Sequence, residues 1–311
     1  MLVSVVVPVF NAESTLQGCL DALLDQDFPG EQYEVIVVDN GSRDGTWSLL
    51  ERYSPRVRRL QETQVRGSYA ARNAGIRASK GSIIAFTDGD CVPDRRWLSL
   101  LVEGFNDPEV GCVGGEILAL VPATSAERYA EAKGILRQKQ TLKNSYRPFF
   151  QTANVAYRCE VFHDIGLFEQ SLESGGDADL CWRLQEQTSW KLRFQEAATV
   201  LHHHRTSWRE LWKQFERYGR GRASLQLLHP DYPAASFGFL NESLRLLIKL
   251  GVHASRYGIS TLLSPIFGDT NREPLEFSFY SLVTQAAFML GKHRGPRQKV
   301  TRTLYATRAE G

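Results

Sequence analysis

Between residues 3 and 88 short unbroken apolar runs alternate with segments of helical spacing, and that rhythm leaves few folds open. VSVVVPV (3–9), YEVIVVD (33–39), VRRL (57–60) and SIIAFTD (82–88) read as strands. Leu16, Leu20, Leu23 and Leu24 recur at helical spacing across 13–26, and 46–53 and 68–79 read as helices. Strands that are apolar throughout, rather than alternately apolar and polar, belong to a parallel sheet covered on both faces. The expected class is therefore α/β, with a mostly parallel central sheet flanked by helices. In such sheets ligands bind at the carboxyl ends of the strands. Asp39 and Asp88 stand at that edge on separate strands, which marks it as a candidate site.

The stretch AFTDGDCVPD (85–94) sharpens the expectation. Asp88 and Asp90 are separated by one glycine, so two like charges share a turn and lose solvation together. A divalent cation relieves that repulsion, and carboxylate oxygens suit Mg²⁺ or Mn²⁺. Taken alone the pair is equally a solvated turn after a strand.

The chain has 311 residues, enough for one large domain or two unequal ones. A net charge of +2 carries no message, although basic residues concentrate towards the C-terminal half. Five cysteines without a CxxC pair read as reduced thiols of a cytoplasmic protein. The opening MLVSVVVPVFNAE lacks the basic flank of a signal peptide. No segment reaches the roughly 18 uninterrupted apolar residues of a spanning helix; FSFYSLVTQAAFML (277–290) comes nearest. Nucleic acid is disfavoured as a partner, because the candidate cleft is acidic and no recognised module is present.

Beyond residue 95 a helix at WLSLLVEGF and a strand at GCVGGEILAL, with a glycine-marked turn, precede a polar excursion over 121–148. GGDADLCWRLQEQ opens a helix with Asp177 and Asp179 in its first turn. There an aspartate caps free N–H groups, and Asp179 is also spaced to pair with Arg183. KLRFQEAATVLHHHR is a strand running into His202, His203 and His204, which alternate faces and so do not all serve one ion. From 207 onward the chain reads as helical.

The ordered set VSVVVPVFNAE (3–13), EVIVVDNGSRDGT (34–46), ARNAGI (71–76), IIAFTDGDC (83–91), GGDADLCWR (175–183) and VLHHHR (200–205) resembles family 2 glycosyltransferases. That resemblance covers about the first two thirds of the chain. It implies a GT-A fold, a nucleotide-sugar donor (UDP favoured, GDP or dTDP next), a divalent metal and inversion at the anomeric carbon. It further implies that Pro8, Phe10 and Glu13 border the nucleotide, and that Asp39 accepts from the base or ribose. Arg66 and Arg72 would lie by the base and diphosphate. Asp88 and Asp90 match the metal motif, with Asp90 the direct ligand, Asp88 nearer the ribose or sugar, and His202 approaching the metal. Asp177 matches the general base, with Gly176 standing where glutamate is commonest. Asn154, Asp179 and Arg205 fall on the acceptor side. Trp182, Phe149 and Phe150 are read as core in preference to an acceptor shelf.

These expectations divide the chain into a catalytic domain over 1–205 and a mainly helical region over 206–311. The nucleotide-binding half of the first is 1–95 and its acceptor-side half 96–205. QFERYGRGR (214–222) departs from the QxxRW motif of processive synthases, so transfer of a single sugar to a hydroxyl, on a lipid-linked or cell-surface glycan precursor, is expected. LLIKLGVHASRYGISTLL (246–263) and 277–290 pair apolar stretches with basic flanks. They fit a helix on an anionic membrane surface, a packed tail or a homo-oligomer contact. The enzyme would then be peripheral on the cytoplasmic membrane face. The rival classes are a GT-A scaffold without catalysis and a nucleotidyltransferase, whose phosphate-activating loop PVFNAEST does not supply.

Overall fold

The computed structural model describes residues 2–233 and 272–302, together with positions 244, 248, 251, 252, 254 and 255. The chain falls into two compact units. The first comprises 1–120, 136–203 and 301–311, and the second 121–135 and 204–300.

The first unit is built on an eight-stranded sheet. Its strands are β1 (Val3–Val9), β2 (Tyr33–Asp39), β3 (Val57–Gln61), β4 (Ile83–Thr87), β5 (Cys91–Pro93), β6 (Val110–Ala119), β7 (Asn154–Arg158) and β8 (Lys191–His202). They lie in the order β3-β2-β1-β4-β7-β6-β8-β5. β3, β2, β1 and β4 run parallel, as the apolar runs of β1, β2 and β4 predict, with the polar β3 (VRRLQ) at the sheet edge, and β6 and β8 also pair in parallel. β7 lies antiparallel to both β4 and β6, and the short β5 antiparallel to β8.

Alternation along each strand sends side chains to opposite faces. Val3, Val5, Val7 and Val9 join a core with Val35 and Val37. It is covered by Leu16, Leu20 and Leu23 of α1 (Leu16–Leu24) and by Trp97, Leu98 and Leu101 of α4 (Trp97–Glu103). Ile36 and Val38 face the other way, against Ala71 of α3 (Ser68–Ala78). Between these helices in sequence, α2 (Thr46–Arg52) follows β2. Each fully buried valine or leucine contributes about 1.5–3 kcal/mol of burial, so both faces of the sheet must be covered for the strands to persist.

The glycines of GCVGGEILAL do not make a turn. β6 runs straight through them, with an irregularity in its pairing to β8 between Gly115 and Glu116. A Cβ on Gly115 would lie 2.0 Å from the Ala198 carbonyl oxygen, and one on Gly114 2.1 Å from the Phe150 ring. These glycines serve close approach.

In the second unit α5 (Ser125–Ala132) belongs with α9 (Trp208–Leu228) and α10 (Glu273–Arg294); α6 (Gln138–Thr141), α7 (Cys159–Ile165) and α8 (Gly176–Gln187) belong to the first. Thr124 with Glu127, and Ser207 with Glu210, form capping boxes that start α5 and α9. α9 and α10 meet at glycines: a Cβ on Gly219 would lie 1.9 Å from the Phe288 carbonyl oxygen, and one on Gly291 equally close to that of Glu216. The apolar stretch 277–290 is used in this packing, with Tyr280, Val283 and Ala287 buried. Among the described residues no helix is long and apolar enough to cross a membrane. The stretch 246–263 lies, apart from five positions, outside the described residues.

Candidate active site

The candidate residues gather at the carboxyl ends of β1, β2 and β4. The loops after β1 and β2 are laced together. Ser42 Oγ accepts from the Asn11 N–H, Thr46 Oγ1 from Ala12 and Asp44 from Glu13, while Asn11 Oδ1 accepts from Arg43 and Glu13 Oε2 from Gly45. Pro8 is buried within β1, and Phe10 stands 53% exposed just beyond it. The Glu13 carboxylate is thus engaged by the neighbouring loop. Asp39 is 1% exposed, and its Oδ1 accepts from the Ser42 N–H at 3.0 Å and from its hydroxyl.

Asn40, which the sequence reading passed over as part of a turn, organises the next loop. Its Nδ2 donates to Glu62 O and Val65 O at 2.7 and 2.9 Å, and its Oδ1 accepts from the Gly67 N–H at 2.7 Å. That loop carries Arg66, exposed, to the start of α3.

Arg72 of α3 lies buried with its Nη2 2.5 Å from Asp88 Oδ1. Its guanidinium is also 5.6 Å from the centre of the Tyr69 ring. Arg72 Nε is buried without a hydrogen-bond partner among the described residues. A buried cationic N–H left unsatisfied costs free energy, and an anionic ligand on this side of Asp88 would recover it.

The two acids of the DGD turn separate in role. Asp88 faces Arg72; Asp90 faces β8. The register Cys91↔His202 between β5 and β8 brings a residue from 112 positions later beside the turn. His202 Nε2 stands 3.6 Å from Asp90 Oδ1, and the His203 N–H donates to Asp90 O at 2.9 Å. One ligand atom from each of Asp90, Cys91 and His202 lies within 4.8 Å of the others, a grouping able to hold a metal ion. Burial, then the charges of Asp90 and Asp88, push the Cys91 thiol well above its ordinary pKa. Sulfur is a soft donor and suits a hard cation poorly, whereas carboxylate and imidazole suit Mn²⁺. The residues present therefore fit a divalent cation, which Asp90 and His202 would hold.

Asp177 is half-buried in the first turn of α8. Burial pushes its carboxyl above the ordinary range. The Ala178 N–H at 3.1 Å and the Arg72 guanidinium pull the other way, and Asp88 adds to the rise. Arg72, Asp88 and Asp177 thus form one electrostatic group drawn from α3, the turn after β4, and α8. The position of α8 depends on Tyr69, also unnoticed in the sequence. Its hydroxyl accepts from the Gly176 N–H at 2.8 Å, and its ring fills the space a Cβ on Gly176 would need.

Other candidates are built into the scaffold. Asn154 is fully buried: Nδ2 donates to Glu116 O and Ala198 O, and Oδ1 accepts from Trp97 Nε1. Its amide ties β7, β6, β8 and α4 together, and its complete burial keeps it out of reach of a ligand. Asp179 is likewise fully buried and pairs with Arg183 at 3.0 Å. Trp182 and Phe150 are core residues. Arg205 is half-buried and belongs to the second unit.

Fold and site together define an α/β protein with a candidate carboxylate–imidazole metal site and a second acidic group at the carboxyl edge of its sheet. Residues 4–166 match the model of Glycosyl transferase family 2. The chain is 38% identical over 231 residues to the glycosyltransferase AglE of Haloferax volcanii, covering 73% of this chain and 74% of that one. It is 34% identical over 239 residues to the pre-mycofactocin glycosyltransferase of Mycobacterium tuberculosis, 75% of this chain but 49% of the relative. Among solved structures it resembles the mannosyltransferase PcManGT of Pyrobaculum calidifontis in complex with GDP-Man and Mn²⁺. The TM-score is 0.62 at 20% identity, covering 94% of this chain and 86% of that one. The chain belongs to glycosyl transferase family 2 and has its GT-A fold.

Proposed function

We propose that this glycosyltransferase moves one sugar from a nucleotide sugar to a hydroxyl acceptor, with inversion, using Asp177 as general base. The observation that carries the reading is the separation of two acidic centres across one cleft edge. Asp90 lies beside His202, and Asp177, protonatable at higher pH than a free aspartate, feels both Arg72 and Asp88. The acceptor oxygen forms its bond to the anomeric carbon as its proton passes to Asp177. The bond from that carbon to the diphosphate oxygen breaks, and its electron pair leaves with the nucleoside diphosphate. Mn²⁺ or Mg²⁺ on Asp90 and His202 would supply positive charge to that leaving group. Arg72, whose Nε has no hydrogen-bond partner among the described residues, would bind the same anion, while Asp39 and Arg66 would receive the nucleoside.

PcManGT was solved with GDP-Man, and the Staphylococcus aureus protein TarS, a structural neighbour at 16% identity, with UDP. Guanosine and uridine donors therefore lead a screen, with dTDP third. The test is hydrolysis of these nucleotide sugars with Mn²⁺ or Mg²⁺ by wild type, Asp90→Ala and Asp177→Asn. Metal-dependent turnover lost in both variants supports the reading. A folded protein that binds no nucleotide sugar overturns it and favours a GT-A scaffold.

A lipid-linked acceptor on an anionic membrane surface is proposed on one further observation. Leu244, Ile248 and Val252 are helical and exposed at four-residue spacing, a stripe that an interfacial helix would bury. Sedimentation with anionic vesicles tests it, and self-association in their absence would assign the stripe to a second copy of the chain.

A further inference from the structure

Asp179 lies two residues beyond Asp177 in the first turn of α8, and none of it reaches solvent. Its carboxylate is divided between two guanidiniums. Oδ2 accepts from Arg183 Nε at 3.0 Å, and Oδ1 accepts from Arg302 Nη1 at 3.0 Å. Arg183 sits one turn along the same helix and also donates to the Ile165 and Leu167 carbonyls. Arg302 arrives from 123 residues further along the chain, where residues 301–311 rejoin the first unit. Beside it, the Thr301 carbonyl accepts from Ser171 Oγ at 3.4 Å.

One guanidinium is enough to neutralise one buried carboxylate. Arg183 does so, but from within α8 itself, so its pairing fixes the helix to the 165–167 backbone on one side only. Arg302 contributes an attachment from outside the helix, on the other carboxylate oxygen. Loss of that donor would leave the charge paired with Arg183 but remove the charge-assisted hydrogen bond that ties this oxygen to chain outside the helix, and the first turn would lose that restraint. That turn includes Asp177.

We propose that Arg302 is a positioning residue: with Arg183 it clamps Asp179 from both sides and holds the first turn of α8 in the geometry from which Asp177 works. Its catalytic consequence rests on the assignment of Asp177 as base; the clamp itself does not. The C-terminal segment is thereby part of the active-site scaffold. Chain lost beyond Val300 would cost activity although no residue of the cleft edge had changed.

The test compares full-length wild type, Arg302→Ala and Arg302→Lys in three measurements. Amide exchange across 175–184 reports the turn directly. Calorimetric binding of UDP and GDP with Mn²⁺ reports the donor side. Hydrolysis of UDP-glucose and GDP-mannose against pH, with water as acceptor, reports the base. In Arg302→Ala exchange is expected to rise about ten-fold and hydrolysis to fall about ten-fold. Nucleotide Kd should not change, the acid limb of the pH profile should move, and Arg302→Lys should recover part of each loss. Unchanged exchange overturns the clamp. Raised exchange with unchanged hydrolysis overturns the positioning role, and faster hydrolysis shows a brake instead. If wild type neither binds nor hydrolyses a nucleotide sugar, the functional reading fails, while exchange still decides the clamp. Should Arg302→Ala not fold, Arg302→Gln, which keeps a neutral donor, replaces it.

Discussion

The hydroxyl of Tyr69 accepts a hydrogen bond from the Gly176 N–H at 2.8 Å, and a Cβ on Gly176 would lie 2.7 Å from Cζ of the same ring. The ring also stacks on Phe168, with centroids 5.7 Å apart, and carries Arg72 over one face. A single aromatic side chain of α3 therefore sets both the guanidinium that faces Asp88 and the start of the helix that bears Asp177. The glycine at 176, a departure from the commonest family residue, has a steric cause.

Gly176→Ala should destabilise the protein by about 1–3 kcal/mol through overpacking against that ring, measured by urea denaturation. Tyr69→Phe should cost about 1–3 kcal/mol by leaving the Gly176 N–H unpaired. In a Tyr69→Ala background the added methyl should be tolerated. The double-mutant cycle would then show a coupling that additive losses would contradict.

Asp177→Asn should remove transfer and, at neutral pH, raise stability. The folded-state pKa of Asp177 is raised, chiefly by burial. Its contribution to stability is then fully present below the unfolded pKa and is lost as pH rises through the folded value. Above that window the ionised group opposes folding, and the amide does not. Thermal unfolding of both proteins against pH checks this. The gain should vanish in acid, and the acid limb of wild-type activity should lie above the ordinary aspartate range.

Arg72→Lys should behave as a loss, not a conservative change. A lysine keeps the charge but not the planar group that reaches Asp88 while lying against Tyr69. Affinity for nucleoside diphosphate should fall at least about ten-fold, the equivalent of about 1.4 kcal/mol, in a calorimetric titration with Mn²⁺.

Asp90→Ala and His202→Ala should each weaken Mn²⁺ binding, followed by the paramagnetic signal of the free ion, by about ten-fold or more. Cys91→Ala should weaken it less, because sulfur is a poorer donor to Mn²⁺ than a carboxylate or an imidazole. A large effect at Cys91 would mean that sulfur ligates.

Gly219→Ala should destabilise the second unit by about 1–3 kcal/mol or more, since the new methyl meets the Phe288 carbonyl of α10 and not a side chain able to turn aside. Loss of helical signal at lower denaturant concentration is the readout.

Much of this was legible along the chain. The unbroken apolar runs of 3–9, 33–39 and 83–87 determined a covered parallel sheet, because a strand buried on both faces cannot alternate. With the strand direction known, Asp39 and Asp88 had to fall at one edge, and the ordered motifs identified the family. What adjacency in sequence could not show was pairing across the sheet and between helices. His202 meets Asp90 only because β5 is antiparallel to β8 in one register. Asn154, chemically suited to a sugar hydroxyl, is spent on four elements of the scaffold, since a buried amide must satisfy its own polar atoms before it can bind anything else. Asp88 and Asp90, alike in sequence, were divided by their partners, Arg72 for one and His202 for the other. Residue type determined which chemistry was available here; tertiary structure decided which groups remained free to perform it, because burial and hydrogen bonding consume that capacity first.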